Sequence, residues 1–289
     1  MERLPSLFSR IALVGAGLIG GSWGLALKRR GFAGRVVACD RPEVLKRALA
    51  AGAADEGEPD PAAAVRGADL VILAAPVGAI LEQLGAVRAA AAPRALVTDT
   101  GSTKRAIMNR ARELFAGGAL FLGGHPLAGK EQSGIGNADP DLFEGTRYVV
   151  TPLTPGGLDD PRVLAFQGLV RAVGAEPRVI EAEEHDRALA LLSHLPQLLS
   201  TALAALAGEG GAELPLELAA GGFRDMTRLA DSPYAIWRDV GVTNADNLRV
   251  AVDAFTQKLE AMKQHLEDEQ LEVAFNEAQR LRERWRNLR

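Results

Sequence analysis

His125 sits in the stretch GGHPLAGKEQSG (123–134), between a pair of glycines and a proline. An imidazole titrates near neutral pH, so a ring held stiffly in such a turn suits proton removal from a hydroxyl. A histidine that merely caps the turn is the plainer reading. A second constellation is Gly15, Gly17 and Gly20, spaced G-x-G-x-x-G within GAGLIGGS. The first glycine permits a tight turn, the second lets backbone approach a pyrophosphate, and the third lets helix pack on strand. The helix N-terminus that follows, with Leu18 and Ile19, would face phosphates with free N–H groups. Asp40 lies 20 residues after Gly20, where an acid hydrogen-bonds a ribose hydroxyl and repels a 2′-phosphate. This favours NAD; the adjacent Arg41 keeps NADP open. A glycine turn without ligand and an FAD-binding fold are the weaker readings.

Three further groups carry polar chemistry. DTGSTK (99–104) offers Asp99, Ser102 and Lys104. Ser102 can serve a site or cap a helix, and the two are compatible. SHLPQ (193–197) puts His194 and Gln197 around Pro196, which should kink or interrupt a helix. A lone histidine there is more often structural. Arg224 and Arg228 are four apart, so on a helix they share a face that suits a carboxylate substrate. A solvated face with Asp225 pairing is the alternative. Arg238 and Asp239 read as a local ion pair, His185 as a helix-start residue, and His265 as an exposed ring among charges.

These residues need elements to hold them. Short apolar runs at 11–14, 35–39, 68–76, 95–102, 119–126 and 147–152 read as strands, with one more at 176–181. Helical stretches fall between them, so the first half is an α/β Rossmann-like domain, a doubly wound parallel sheet covered by helices. The segment 56–64, EGEPDPAAA, reads as a surface loop. Ligands of such a sheet bind beyond the carboxyl ends of its strands, where His125, the DTGSTK loop and AAPV (74–77) should meet, with Ala75 and Pro76 beside the cofactor. From about residue 182 the pattern is helical throughout, apart from the Gly- and Pro-punctuated connection EGGAELPLELAAGGF (209–223). We therefore expect domains at 1–181 and 182–289.

The chain has 289 residues, net charge −4 and one cysteine, Cys39. The mild acidity argues against a nucleic-acid surface. The single thiol leaves no internal disulfide and no cysteine metal cage, and no metal is expected. MERLPSLFSR is short and polar for a signal peptide, and no apolar run reaches membrane-spanning length. A cytoplasmic protein without a membrane partner is the expectation.

The blocks GAGLIGGS, DTGSTK, GGHPLAGKE-x-SG, LFE-x-x-x-YVVTP, E-x-HD, SHLPQ and GGFRDMTRLA-x-S occur in this order. Together they resemble the prephenate/arogenate dehydrogenase family of tyrosine biosynthesis, over about residues 10–245. The resemblance implies hydride transfer from C4 of a cyclohexadiene to NAD(P), loss of the ring carboxylate as CO₂, and an all-α C-terminal dimerisation domain, hence a homodimer. It further implies His125 on the 4-hydroxyl, Ser102 orienting it, Arg228 on the ring carboxylate and His194 near the substrate. Arg224 would serve substrate or fold. Lys130 stands where many relatives carry a small polar residue, and would contact a carboxylate or solvent. Gln197, neutral and able to donate and accept, would reject neither prephenate nor arogenate. The rivals are a two-domain dehydrogenase of the β-hydroxyacid or imine-reducing type, and a non-catalytic NAD-binding module. Turnover of prephenate separates both from the first reading.

Overall fold

The computed structural model describes residues 7–130, 132–209 and 215–288. The first six residues of MERLPSLFSR, Glu131 of the histidine loop, residues 210–214 of the glycine-rich connection and Arg289 lie outside them. Strands and helices alternate: β1 (Arg10–Val14), α1 (Leu18–Arg29), β2 (Arg35–Cys39), α2 (Pro42–Ala50), β3 (Glu56–Gly57), α3 (Pro61–Val65), β4 (Leu70–Leu73), α4 (Val77–Ala90), β5 (Leu96–Asp99), α5 (Arg105–Leu114), β6 (Leu120–Pro126), β7 (Arg147–Pro152), α6 (Pro161–Ala172) and β8 (Glu176–Val179). They form one sheet in the order β3-β2-β1-β4-β5-β6-β7-β8. Side chains alternate across it: Ile11, Leu13, Leu70 and Ile72 pack on one face, and Ala12, Val14, Val71 and Leu73 on the other. Helices cover both faces, which is why β4 reads LVIL without a polar residue. The strand order reverses between β1 and β4, so a crevice opens at their carboxyl ends.

Two expectations change. The 56–64 segment is not plain loop. It holds β3, paired with β2, and α3, whose first turn is capped by Asp60 accepting from Ala62 and Ala63 N–H at 3.3 and 3.1 Å. Both elements are too short to show a hydrophobic period. The sheet is also not wholly parallel: β7 runs antiparallel to β6, and β8 follows β7. A parallel return needs a crossover helix. Among the described residues between Pro126 and Arg147 there is only the one-turn 3₁₀ segment Ile135–Asn137, and the chain doubles back.

Beyond the sheet come α7 (Ala182–Leu189), a π-turn (Ala190–His194), α8 (Leu195–Glu209), α9 (Gly221–Thr227), a 3₁₀ turn (Arg228–Asp231), α10 (Tyr234–Thr243), α11 (Ala245–Gln264) and α12 (Glu269–Arg286). The π-turn lies directly before Pro196, which has no N–H to give its preceding turn. Helix α7 thus continues into α8, and Ala182–Glu209 makes 28 residues long and apolar enough to cross a membrane by length and composition, contrary to expectation. Yet the same helix buries His185, Asp186 and His194 in a hydrogen-bonded network with the first domain and Asn244. The helical part meets the first domain through Asp186, through Thr103 Oγ1 against Thr243 Oγ1 at 2.7 Å, and through the Arg105–Asp246 ion pair.

Candidate active site

The glycine loop joins β1 to α1, and each glycine in it answers a different constraint. Gly15 has φ +99°, and a Cβ there would lie 2.3 Å from the Ala74 carbonyl oxygen. A Cβ on Gly20 would lie 1.9 Å from the Gly15 carbonyl oxygen, so that glycine lets α1 pack on the turn. A Cβ on Gly17 would meet nothing within 4 Å. No protein atom excludes a side chain at 17, and the space beside it is open. Gly17 borders two cavities. One, of about 370 Å³, is lined by Gly15, Asp40, Arg41, Pro59, Pro61 and Ala75, among others. Asp40 Oδ2 accepts the Ala16 N–H at 2.8 Å and Oδ1 accepts the Arg41 N–H at 2.8 Å, so the acid also ties β2 to the glycine loop. The loop, the acid and the flat proline walls have the layout of a dinucleotide's adenosine–pyrophosphate half.

The second cavity, about 330 Å³, continues from Gly17, Leu18, Ile19 and Pro76 to Ser102, His125, Lys130 and Ile236. His125 is half-buried near the end of β6, opposite Val149. Behind it stands a chain of partners. His125 Nδ1 is 2.9 Å from His185 Nε2, and His185 Nδ1 is 2.7 Å from Asp186 Oδ1. His185 and Asp186 are fully buried. A carboxylate only accepts, so His185 Nδ1 carries the proton and its Nε2 accepts in turn. His125 must then donate from Nδ1, which leaves Nε2 as the ring's bare lone pair. Burial, then the charges that His185, Lys104 and His194 can carry, hold the His125 pKa well below 6.5, so the ring stays neutral. Burial opposes ionisation of Asp186. The His185 hydrogen bond and the N–H groups of Lys104 and Arg105, at 2.7 and 2.9 Å, outweigh it and hold the pKa below 3.8. The same two N–H groups open α5, so Asp186, not Ser102, caps that helix.

Lys104 is buried completely and paired with Asp99. Asp99 also accepts from Gly101 N–H at 2.8 Å and Gly124 N–H at 3.0 Å. One buried carboxylate therefore braces both the Ser102 loop and the residue before His125. Such a pair is costly to break and does not face the cavity.

The structure brings Ser102, His125 and Lys130 to one cavity, and leaves the other candidate substrate residues off its lining. Lys130 is ion-paired with Asp139 at 2.8 Å. His194 is 1% exposed; its Nδ1 lies 3.2 Å from Asn244 Nδ2, and burial lowers its pKa to about 4. Gln197 donates to the Leu229 carbonyl at 2.8 Å and so ties α8 to the 3₁₀ turn that begins with Arg228. Arg224 is exposed beside Asp225, and Arg228 is exposed too. His185 corrects its sequence reading: it lies on α7, but as a buried partner of His125. The only sequence signal was the His–Asp pair at the start of the helical half. Asn244 and Lys104 were missed as buried members of this network. His265 is exposed beside Asp268, and no group of three or more metal-ligating residues occurs among the described residues.

Known proteins are similar to this chain in sequence and fold. The family description prephenate dehydrogenase, nucleotide-binding domain, matches residues 23–176, and prephenate dehydrogenase, dimerization domain, matches residues 181–281. Prephenate dehydrogenase of Bacillus subtilis (strain 168) is 33% identical over 272 residues, which cover 92% of this chain and 72% of that protein. Cyclohexadienyl dehydrogenase of Zymomonas mobilis is 32% identical over 267 residues, 89% of this chain and 88% of that one. The crystal structure of prephenate dehydrogenase from A. aeolicus, in complex with hydroxyphenyl propionate and NAD+, superposes with TM-score 0.86 at 28% identity, over 97% of this chain and 98% of that one. The two domain matches together span most of the sequence, and the chain belongs to the prephenate dehydrogenase family.

Proposed function

We propose that this protein is an NAD-dependent dehydrogenase that oxidatively decarboxylates prephenate, and arogenate as a second substrate, in tyrosine biosynthesis. The observation that carries the reading is the Asp186–His185–His125 chain ending in a bare Nε2 beside the glycine-loop cavity. Gly15, Gly17, Leu18, Ile19, Gly20, Asp40, Ala75 and Pro76 would hold the dinucleotide, whose nicotinamide supplies the hydride acceptor. Gly17 supports the fit, because the space that a side chain would take there is open to both cavities. The Asp40 carboxylate opposes a 2′-phosphate; the exposed Arg41 beside it leaves room for NADP as a poorer cofactor.

His125 accepts the proton of the substrate's 4-hydroxyl at Nε2 as the hydride leaves C4. The O–H electron pair becomes the new C=O bond. The ring carboxylate then departs as CO₂, its C–C electrons complete the aromatic ring, and the oxygen is reprotonated. Ser102 orients the hydroxyl and His125. Lys130 is the cation in the cavity that meets a substrate carboxylate, at the expense of its Asp139 contact. Arg228, from outside this lining, is the second carboxylate cation we assign, and Arg224 sits on a solvated face beside Asp225. A relative bearing the broader name cyclohexadienyl dehydrogenase supports the dual reading. A homodimer through the helical half is part of this proposal.

The test follows NAD and NADP reduction at 340 nm with prephenate and arogenate, in wild type and His125→Asn. The variant should lose ~10²-fold or more in kcat, as for a lost general base. The acid limb of the wild-type kcat/KM should lie below pH 6.5, because the His125 pKa is lowered and neutral imidazole survives into mild acid. Cofactor binding without turnover of either ring substrate sinks the reading.

A further inference from the structure

The helical half reaches the rim of the second cavity through α10. Ile236 lines the cavity, and the Trp237 ring meets His194 edge-on at 6.1 Å between centroids. Asp239, on the next turn, crosses to the first domain. Its Oδ2 accepts the Gly78 N–H at 2.8 Å, and its Oδ1 takes the Arg238 Nε at 3.1 Å. Asp239 is 7% exposed, so this is no loose surface pair, although the sequence suggested only a local contact with Arg238.

Gly78 lies in the first turn of α4, whose N-cap position is Pro76, with no side-chain cap of its own. The first N–H groups of a helix have no partner within it, and the dipole there favours an anion. Here the anion arrives from the other domain. A Cβ on Gly78 would lie 2.9 Å from Asp239 Oδ2 and 3.3 Å from its Cγ, so the glycine is what lets the carboxylate come this close. Pro76 and Val77 of the same turn line the cavity together with Ile236.

We propose that Asp239 is a positioning residue, a latch whose carboxylate on the N-terminus of α4 holds the two domains at the width at which Ile236 lines the reaction cavity opposite Pro76 and Val77. It touches neither substrate nor cofactor. It sets the distance between the α4 wall and the α10 wall, and thereby holds the ring against the cofactor. The proposal rests on the reading that this cavity is the reaction site.

Gly78→Ala probes the contact from the far side. Alanine is the better helix former, so the substitution alone favours α4. It nevertheless pushes Asp239 away. In the full-length enzyme, Gly78→Ala and Asp239→Ala should each raise the KM for the ring substrate about tenfold or more, the range for a lost hydrogen bond to a charged group. Asp239→Asn, which keeps an acceptor, should recover part of the loss. The Tm of Gly78→Ala should stay near wild type, and the acid limb of kcat/KM should not move. In the Asp239→Ala background, Gly78→Ala should add nothing, since both act through one contact. Additive effects, or an unchanged KM in either single variant, overturn the latch. Amide exchange of the peptide 74–84 separates this failure from failure of the assigned reaction. It should quicken in Asp239→Ala whatever the enzyme turns over, and unchanged exchange overturns the latch. A wild type that turns over no ring substrate overturns the reaction alone.

Discussion

At the scale of single residues, a buried carboxylate chooses which nitrogen of His125 is basic. Asp186 accepts from His185 Nδ1 at 2.7 Å, and the order of protons along the chain follows from that one fact. Asp186→Asn tests it. Lys104 N–H and His185 share Oδ1 while Arg105 N–H takes Oδ2, so either orientation of the amide sets its NH₂ against a backbone donor, and the one with the oxygen kept on Arg105 N–H also turns the NH₂ to His185. His185 would then accept at Nδ1, donate from Nε2, and force the proton of His125 onto its own Nε2. We expect kcat to fall ~10²-fold or more, the scale of general-base catalysis, with His125 intact and the Kd for NAD unchanged. A variant with near wild-type kcat would show that the chain does not set the tautomer. Protonation of the network also bears on stability. Burial lowers the His194 pKa from 6.5 to about 4, so the unfolded state binds the extra proton between those values. Stability is therefore complete above pH 6.5 and falls as pH drops toward 4, by about 3 kcal/mol from this group at most. Urea melts at pH 7.5 and pH 5 measure the difference; an equal midpoint would refute it.

At the scale of elements, the turn between β1 and α1 separates glycines kept for the fold from the glycine kept for a ligand. Gly20→Ala puts a methyl 1.9 Å from the Gly15 carbonyl oxygen and forces α1 off the turn. It should cost about 1–3 kcal/mol, as overpacking does. Gly17→Ala meets no protein atom, so thermal stability should hold while the Kd for NAD rises. Calorimetry together with cofactor titration reads both, and a destabilised Gly17→Ala that still binds NAD normally would contradict the assignment. The return of β7 against β6 belongs to this scale too. It brings Ala128, Gly129 and Lys130, just past the end of β6, to the cavity.

At the scale of the whole molecule, the helical half exposes apolar side chains that the sheet domain does not cover. Leu191, Leu192 and Leu206 are 57%, 73% and 66% exposed on the helix Ala182–Glu209, and Val242 and Val250 of α10 and α11 are 75% and 70% exposed. Such a surface marks an interface. A second copy of the chain, through the segment matched as a dimerization domain, is the occupant we propose. Sedimentation should give a dimer at micromolar concentration, and Leu192→Glu should shift it toward monomer. A wild-type monomer would refute this, as would a Leu192→Glu variant that stays dimeric.

Most of the elements and the kind of chemistry are legible in the amino-acid pattern; the short β3 and α3 are not. The spacing of Gly15, Gly17 and Gly20 after an apolar run, Asp40 at the next strand end, and His125 at another are local patterns, and local sterics and periodicity settle what they form. The change from strand–helix alternation to helices alone is legible for the same reason. The tertiary structure alone decided which distant residues meet. His125 and His185 are 60 positions apart, Gly78 and Asp239 are 161 apart, and no period links either pair. His185 looks like any residue opening a helix until burial against β6 removes its water and leaves His125 as its partner. Lys104 looks like a site cation until the sheet buries it with Asp99. Strand direction was likewise out of reach, because an apolar run pairs equally well either way, and the length and shape of the connecting chain choose between them.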